Sequence, residues 1–219
     1  MNKQYSEKEF WYFEQTERIE MFEFVDKSNV KKILDVGCST GGFAKNLKEK
    51  FNCEAWGIEP FAEAFKIAEK HLDKTINLEV EDALGELNGE KFDHVFFIDV
   101  LEHLENPWEI LSVVKNNLEK NGKVVASIPN LRYYPVILSL LRYNDFKYVQ
   151  SGVMDKTHLR FFTRKSIIRM FEESGFTVLK ITPINGVKYK VLRFLNILLL
   201  GRLWDMKYPQ FAVVAEIKQ

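Results

Sequence analysis

A turn of small residues follows the first apolar segment of the chain. Residues 33–43 read ILDVGCSTGGF. Glycine lets a backbone turn sharply and pass close to a ligand, and Gly37, Gly41 and Gly42 lie at this corner with Ser39 between them. The helix that follows would leave unpaired N–H groups directed at the turn. We therefore predict a cradle for a nucleotide-type ligand, although the glycines do not form the G-x-G-x-x-G pattern of dinucleotide-binding proteins.

Acidic residues stand at four predicted strand ends. Ligands of open α/β sheets bind outside the carboxyl ends of the strands, and carboxylates are seldom buried without a partner. Acids at four such ends therefore predict a ligand with complementary polar groups. Glu59 ends the second predicted strand about twenty residues after the turn, where an acid binds ribose hydroxyls in nucleotide-binding proteins. The four acids are Asp35, Glu59, Asp82 and Asp99.

The turn and two later motifs together resemble a known family. Asp35 and the turn resemble the first motif of class I S-adenosylmethionine (SAM)-dependent methyltransferases, which usually carry glycine at the position of Ser39. The D-x-x-E-H pattern over residues 99–103 is typical of many members that act on small molecules. Residues 155–163, DKTHLRFFT, are similar to a segment of methyltransferases associated with bacterial surface-polysaccharide gene sets. The resemblance covers about residues 30–183 and the last strand.

The resemblance implies a cofactor and the residues that bind it. The cofactor would be SAM and the product S-adenosylhomocysteine (SAH). Asp82 with Ala83 would lie at the edge of the adenine, and Asp35 and Asp99 near the amino-acid end of SAM. With the turn and the ribose-binding acid, the predicted cofactor-binding residues are Asp35, Gly37, Ser39, Gly41, Glu59, Asp82, Ala83 and Asp99.

Two histidines are the candidates for chemistry on the acceptor. His103 and His158 fall in loops where the resemblance places the acceptor. Histidine changes charge near neutral pH, so either residue could take a proton from an acceptor hydroxyl as a general base. We therefore predict His158 and His103 as the catalytic residues. The structural alternative is that His103 makes an internal hydrogen bond and His158 caps a backbone turn.

A divalent cation is a further alternative for the same residues. Methyltransferases for ubiquinone precursors and for small-RNA 3′ ends use a similar set of carboxylates and histidines, but with Glu where this chain has Asp99. Such a mixture of oxygen and nitrogen ligands suits Mn²⁺, Fe²⁺ or Zn²⁺ better than Ca²⁺. The prediction itself includes no metal, and the alternative set is Asp99, Glu102, His103 and His158.

Short apolar segments alternate with helical patterns along the chain. Such alternation, with strands apolar on both faces, predicts a parallel sheet covered by helices. With the resemblance, we predict an α/β, Rossmann-like class I methyltransferase fold, with a mostly parallel seven-stranded sheet, an antiparallel last strand and helices on both faces. Strands are predicted at 32–36, 54–59, 76–80, 95–99, 124–128, 176–182 and 211–217, and helices at about 42–50, 61–71, 107–119 and 163–174.

An aromatic segment precedes the predicted domain, and two apolar insertions interrupt it. Residues 7–27 carry Phe, Trp and Glu at roughly helical spacing, which predicts an amphipathic helix in an N-terminal region spanning residues 1–28. The methyltransferase domain is predicted over 29–219, with apolar inserts at about 131–160 and 184–209. We expect the inserts to cover the acceptor or to form a contact in a homodimer.

Composition excludes several other classes of protein. Basic and acidic residues balance at 31 each, so the chain has no overall field to attract nucleic acid. The N-terminus lacks the pattern of a signal peptide, and no apolar stretch is long enough to span a membrane. Cys38 and Cys53 form no disulfide framework, so we expect a cytoplasmic location.

These observations predict SAM-dependent methyl transfer, with an oxygen of a small molecule or glycan precursor as the acceptor. The alternative is a catalytically idle protein with the same fold that serves as an interaction subunit of a glycan-assembly complex. The apolar inserts suggest this alternative, whereas the full set of acids at the strand ends opposes it.

Overall fold

Seven strands form one sheet in the computed structural model of the protein, which describes residues 17–28, 30–189, 194 and 196–219. The strands are β1 (Lys32–Val36), β2 (Glu54–Ile58), β3 (Lys74–Ile76), β4 (Phe92–Ile98), β5 (Leu118–Pro129), β6 (Phe176–Ile184) and β7 (Gln210–Ile217). Their order is β3-β2-β1-β4-β5-β7-β6. The first five run parallel, and β7 is antiparallel to both β5 and β6. This order places the topological switch point between β1 and β4, where ligands of such sheets bind.

Helices cover both faces of the sheet. The α-helices are α1 (Gly42–Phe51), α2 (Ala62–Ala68), α3 (Val80–Ala83), α4 (Pro107–Val114), α5 (Tyr134–Tyr143) and α6 (Arg164–Glu173). Successive side chains of a strand point to opposite faces. In β4, Val95 and Phe97 join the apolar core that contains α4 and α6, whereas Phe96 joins the core that contains α1. The predicted fold is therefore confirmed, including the antiparallel last strand.

Side chains cap the amino ends of helices α4 and α6. The Asn106 side chain accepts a hydrogen bond from the Glu109 N–H at 3.3 Å, and Pro107 occupies the first turn of α4. The Thr163 side chain accepts from the Ser166 N–H, and the Ser166 hydroxyl accepts from the Thr163 N–H. These reciprocal bonds satisfy N–H groups that have no partner within the helix.

Several predicted boundaries differ from the structure, most clearly at the third strand and at the end of the helix before β5. The third strand covers Lys74–Ile76 and not 76–80, because the Asn77 side chain turns away to bind the Glu59 and Pro60 carbonyls at 2.8 and 3.0 Å. Val80 then starts α3 and packs in the core. The helix predicted to reach residue 119 ends at Val114, and β5 begins at Leu118, which pairs with Phe92 of β4.

The predicted N-terminal helix differs from the structure in the part that is described. Positions 7–16 lie outside the described residues. Beyond them, Ile19–Phe24 forms a short 3₁₀ helix, preceded by Arg18 with a left-handed backbone (φ 37°) that interrupts any continuous α-helix. Met21 and Phe24 are buried in the core on the α1 side of the sheet, so the segment packs on the domain.

The two inserts contact each other. The hydroxyls of Tyr133 and Tyr189 lie 2.9 Å apart, and the Arg132 guanidinium contacts the Asp205 carboxylate at 3.2 Å. Helix α5 in the first insert contains no buried residue, and its apolar Leu141 is 76% exposed. Within the described part of the chain, every helix is too short or too polar to cross a membrane.

Candidate active site

The glycine turn between β1 and α1 has the left-handed backbone that its glycines predict. Gly37 and Gly41 have positive φ values of 69° and 80°, and Ser39 between them also has a φ of 52°. Ser39 therefore adopts the left-handed conformation that favours glycine, at a modest energetic cost. A Cβ atom at Gly37 would lie 2.6 Å from Cγ2 of Val100, so the loop after β4 closes tightly on the turn.

Glu59 lies at the carboxyl end of β2 and faces the turn. Its Oε2 accepts from the Ser39 N–H at 2.8 Å, and its Oε1 accepts from the Phe61 N–H at 2.8 Å. The side chain is buried, and this burial raises the pKa of Glu59 to about 7 although the two N–H groups favour ionisation. Each carboxylate oxygen retains a further lone pair that can accept from a ribose hydroxyl.

Asp35 lies in β1, directly behind the turn. It is 2% exposed, and burial together with the nearby Glu59 carboxylate raises the pKa of Asp35 to about 8. A buried acid whose ionisation is disfavoured by a second carboxylate is suited to a ligand that brings positive charge or hydroxyl donors. The structure therefore brings Asp35, Glu59 and the turn together at the switch point, as the sequence predicts.

Asp82 and Ala83 lie in helix α3 and not at a strand end. Asp82 is exposed, and Ala83 is buried in the core. The third strand ends six residues before Asp82, because it stops at Ile76. Their place at the adenine edge remains a prediction.

Asp99 follows β4 and has its own set of partners. Its Oδ1 accepts from the Ser127 hydroxyl at 2.7 Å and from the Gln210 amide at 2.8 Å, and its Oδ2 binds the Arg18 guanidinium. The alternative four-residue metal set is therefore not brought together: among the described residues, the compact group contains three of its members and not Asp99.

That compact group is Glu102, His103 and His158. Potential ligand atoms of the three side chains all lie within 4.8 Å of one another, and the Nε2 atom of His158 lies 4.0 Å from Oε1 of Glu102. Glu102 is fully buried, and the two histidines are each 7% exposed. The short 3₁₀ helix Leu101–His103 after β4 supplies two members, and the loop before α6 supplies the third.

Backbone carbonyls fix the orientation of both imidazole rings. Nδ1 of His103 lies 3.1 Å from the Thr157 carbonyl, and Nδ1 of His158 lies 3.1 Å from the Val153 carbonyl. A carbonyl can only accept, so each Nδ1 carries the proton and each Nε2 presents a lone pair when the ring is neutral. A metal-binding histidine is typically held by a bond of this kind from its second nitrogen.

Two residues that contact the candidate site residues, Thr157 and Arg18, are not identified from the sequence. The Thr157 hydroxyl donates to Asp155 at 2.7 Å and lies 3.2 Å from Nδ1 of His103, so it supports the ring. Thr157 is adjacent to the predicted His158, and this adjacency is the only signal for it in the sequence. Arg18, the partner of Asp99, lies 81 positions away along the chain and no local pattern identifies it.

The family model described as a methyltransferase domain matches residues 11–181. The chain belongs to this family. A Schizosaccharomyces pombe protein named ubiquinone biosynthesis O-methyltransferase, mitochondrial, is 30% identical over 172 residues, which cover 74% of this methyltransferase and 60% of the relative. The match thus spans less than two thirds of that relative's length.

Solved structures share the fold of this methyltransferase at low sequence identity. A SAM-dependent methyltransferase from Archaeoglobus fulgidus superposes with a TM-score of 0.71 at 19% identity and covers 95% of this chain and 99% of its own. The magnesium protoporphyrin IX methyltransferase of Synechocystis PCC 6803, solved with bound SAH, has a TM-score of 0.63 at 14% identity. It covers 94% of this chain and 83% of its own.

The cofactor of this methyltransferase is SAM, and the turn with Glu59 and Asp35 fits it. Left-handed backbone at Gly37, Ser39 and Gly41 brings main-chain groups close to a ligand, and the buried Glu59 offers acceptors for a ribose diol. The comparisons indicate an enzyme and give no support to the idle interaction subunit that the apolar inserts suggested.

Proposed function

We propose that this enzyme transfers the methyl group of SAM to a hydroxyl oxygen of a small molecule or glycan precursor. The observation that carries this proposal is the buried group of Glu102, His103 and His158 in the loops after β4 and before α6. The name of the Schizosaccharomyces pombe relative, an O-methyltransferase, supports oxygen as the acceptor atom. A cytoplasmic location is part of the same proposal, supported by two buried cysteines without a disulfide.

The three side chains fit a divalent cation. One carboxylate and two neutral imidazoles form a mixed oxygen and nitrogen ligand set, and both rings are held through Nδ1 as metal-binding rings are. SAM supplies an activated methyl group when bound, and a divalent cation supplies positive charge that lowers the pKa of an acceptor hydroxyl. Glu102, His103 and His158 would hold the cation, and Thr157 and the Val153 carbonyl keep the imidazoles oriented.

A general base is the second candidate for the same group. His158 presents the Nε2 lone pair while the Val153 carbonyl holds its Nδ1 proton, and the Glu102 carboxylate at 4.0 Å would stabilise the imidazolium. In this mechanism the acceptor oxygen bonds to the methyl carbon as the carbon–sulfur bond breaks. SAH leaves, and the hydroxyl proton passes to His158.

Aromatic side chains next to His158 suggest the shape of the acceptor. The Phe161 ring lies 6.3 Å from the His158 ring and contacts Phe146 and Tyr148, which are 43% and 50% exposed. Such a surface can cover a planar ring or the face of a sugar. We therefore propose hydroxylated rings, aromatic or saccharide, as the acceptor class, with the apolar inserts as a lid or a homodimer contact.

An acceptor screen that detects SAH release tests the proposal. The panel contains hydroxylated aromatic rings and sugar nucleotides, each assayed with EDTA and again after a divalent cation is restored. The cation mechanism predicts turnover that EDTA abolishes and Mn²⁺ or Mg²⁺ restores. The base mechanism predicts turnover that EDTA leaves intact and that His158→Ala lowers by ~10²–10⁴-fold.

A matched variant separates a chemical role of His158 from a structural one. His71→Ala changes a histidine outside this group, whose backbone bonds to Ala68 and Lys48, so this variant should retain full turnover. Full activity of His158→Ala in the presence of EDTA would contradict both mechanisms and leave His158 as a structural residue.

A further inference from the structure

The two inserts are basic, although the chain as a whole is neutral. Residues 131–160 and 184–209 together contain ten Lys and Arg, three Asp and no Glu, whereas the whole chain contains 31 basic and 31 acidic residues. The inserts therefore have a formal net charge of +7, and the rest of the chain has −7. Of the three acids, Asp155 and Asp205 are buried and Asp145 is exposed. The surface of the inserts is accordingly positive.

The same inserts expose apolar side chains. Helix α5 has no buried residue, and its Leu141 and Tyr143 are exposed. In the second insert, Ile197 and Leu198 are exposed, and Leu200 is 90% exposed. Exposed apolar groups that lie close together mark a surface that contacts a partner. Basic and apolar side chains in one segment are typical of proteins that lie at the interface of an anionic membrane.

Both inserts leave the sheet at the edge that holds the candidate active site. The first follows β5, and the second joins β6 to β7. Because β7 is antiparallel to both β5 and β6, these two strands point the same way as β1 and β4. The Leu131 N–H donates to the Phe162 carbonyl at 2.8 Å, and the Asn130 amide donates to the Asp205 carbonyl at 3.0 Å. These bonds connect the start of the first insert to the loop before α6 and to the second insert.

A lipid surface fits these observations better than a second copy of the chain or a nucleic acid. In a symmetric dimer the same patch of both subunits meets, so a contact between inserts would bring two positive surfaces together. Nucleic acid is anionic, but aliphatic side chains such as Leu200 have no partner in a phosphate backbone. An anionic bilayer attracts the basic side chains to its headgroups and accepts the apolar side chains below them.

We propose that the two inserts form a docking surface for an anionic lipid bilayer, with the candidate active site facing the membrane. Leu141 and Leu200 enter the boundary between headgroups and acyl chains, and Arg142 and Lys188 lie at the level of the lipid phosphates. An acceptor carried at the membrane surface then reaches the site from the bilayer side. This last consequence rests on the proposed function, whereas docking itself does not depend on methyl transfer.

Sedimentation with lipid vesicles tests the inference without any acceptor. Wild type should bind vesicles of phosphatidylcholine with phosphatidylglycerol at least about tenfold more tightly than vesicles of phosphatidylcholine alone, and added salt should weaken this binding. The double variant Arg142→Gln, Lys188→Gln removes two exposed cations, and we expect its affinity for the anionic vesicles to fall by about tenfold. Leu141→Ser, Leu200→Ser should also bind these vesicles more weakly than wild type, because it removes the apolar contact.

A matched pair of cations on the opposite edge of the sheet provides the control. Lys31→Gln, Lys120→Gln changes exposed residues at the amino ends of β1 and β5, and its vesicle affinity should stay within about twofold of wild type. Thermal melting shows that each variant is folded, and SAH affinity of the same proteins reports separately on the proposed function. Equal binding of wild type to neutral and anionic vesicles, or equal losses in the two cation variants, would overturn the inference. A dimer that Leu141→Ser, Leu200→Ser dissociates, without vesicle binding by wild type, would assign the inserts to a second copy and also overturn it.

The exposed Trp204 provides a second readout. It lies in the second insert, whereas Trp56 is buried in β2. Brominated acyl chains quench only those tryptophans that come close to them, so anionic vesicles with brominated phosphatidylcholine should quench part of the wild-type fluorescence. Trp204→Phe should remove most of this quenching while vesicle binding persists. Unchanged quenching in Trp204→Phe would place the lipid contact outside the inserts and overturn the inference.

Discussion

The Oε1 atom of Glu102 lies 4.0 Å from Nε2 of His158 at a buried position. Because the Val153 carbonyl binds Nδ1 of His158, a neutral imidazole directs a lone pair towards the carboxylate. A lone pair and a carboxylate oxygen repel each other. A positive charge between them, either a cation or the proton of an imidazolium, attracts both groups. We therefore propose that this pair binds positive charge, in the form of a cation or of an imidazolium proton.

Loss of the Glu59 carboxylate should weaken cofactor binding. Glu59→Ala removes the acceptor for the ribose hydroxyls, and we expect SAH affinity to fall by ~2–3 kcal/mol in a calorimetric titration, because hydrogen bonds to charged groups contribute ~1.5–3 kcal/mol. NAD should not bind to wild type. Glu63→Ala, which changes an exposed acid on the following helix, serves as the control and should leave SAH affinity unchanged. Unchanged affinity in a folded Glu59→Ala protein would refute the assignment of this residue.

Nucleoside affinity should increase with pH. The pKa of Glu59 is raised to about 7 by burial, with Asp35 and Glu79 as neighbouring acids, and the ribose hydroxyls favour its ionised form. Binding of 5′-methylthioadenosine, which has no titrating amine, should therefore strengthen from pH 6 to pH 8 and release protons near pH 6.5. Calorimetry in buffers of different ionisation enthalpy measures this release. Glu59→Gln should bind weakly at every pH, and a persistent slope in that variant would contradict the prediction.

The stability of the protein without added nucleoside should show the opposite trend. Asp35 and Glu59 have folded-state pKa values raised to about 8 and about 7, so the folded state holds protons that the unfolded state has released. Their contribution to stability is complete below their ordinary pKa values and is lost as pH rises through the folded values. We expect the free energy of unfolding to fall by roughly 4 kcal/mol between pH 6 and pH 8, with the larger share from Asp35. Asp35→Asn should flatten the curve in denaturant titrations.

The Thr157 hydroxyl should act through His103. Thr157→Val removes the group that links Asp155 to Nδ1 of His103, and we expect turnover to fall by about tenfold, as for partners that orient metal-binding histidines. Mn²⁺ affinity should fall in parallel while SAH affinity stays constant. Thr177→Val, an exposed threonine of β6, is the control. Equal turnover of the two variants would show that the hydroxyl has no positioning role.

The second insert should take part in a contact or cover the acceptor. Leu198 and Leu199 are 61% and 48% exposed, and exposed apolar groups of this kind are rarely without a role. The double variant Leu198→Glu, Leu199→Glu should change either the mass measured by light scattering or the turnover. A monomeric wild type, with a variant that keeps solubility and turnover, would exclude both roles.

The site residues that could be predicted from the sequence are identified by residues close to them along the chain. The turn at Gly37 to Gly41 is identified by its own composition, and Glu59 by its distance along the chain from that turn. The prediction for the third strand is wrong because apolar side chains within residues 76–80 favour a strand there. The sequence gives no signal for the hydrogen bonds of the Asn77 amide to the Glu59 and Pro60 carbonyls.

Long-range pairs account for what the sequence did not reveal. Arg18 binds Asp99 across 81 positions, and His103 contacts Thr157 across 54. The alternative metal set contains Asp99 because the D-x-x-E-H spacing groups it with Glu102. In the structure, the turn after β4 directs Asp99 towards Ser127 and Gln210 and leaves Glu102 facing the two histidines.

Direct titration of the purified enzyme with Mn²⁺, followed by electron paramagnetic resonance, tests the central claim that Glu102, His103 and His158 hold a divalent cation. The account predicts one tight Mn²⁺ site per chain, and Glu102→Gln and His158→Ala should each lower its affinity by at least about tenfold. The control variant Glu105→Gln changes an exposed neighbouring acid and should leave the affinity unchanged. Equal Mn²⁺ affinity in wild type and Glu102→Gln, or no site in a wild-type enzyme that transfers methyl groups with EDTA present, would contradict it.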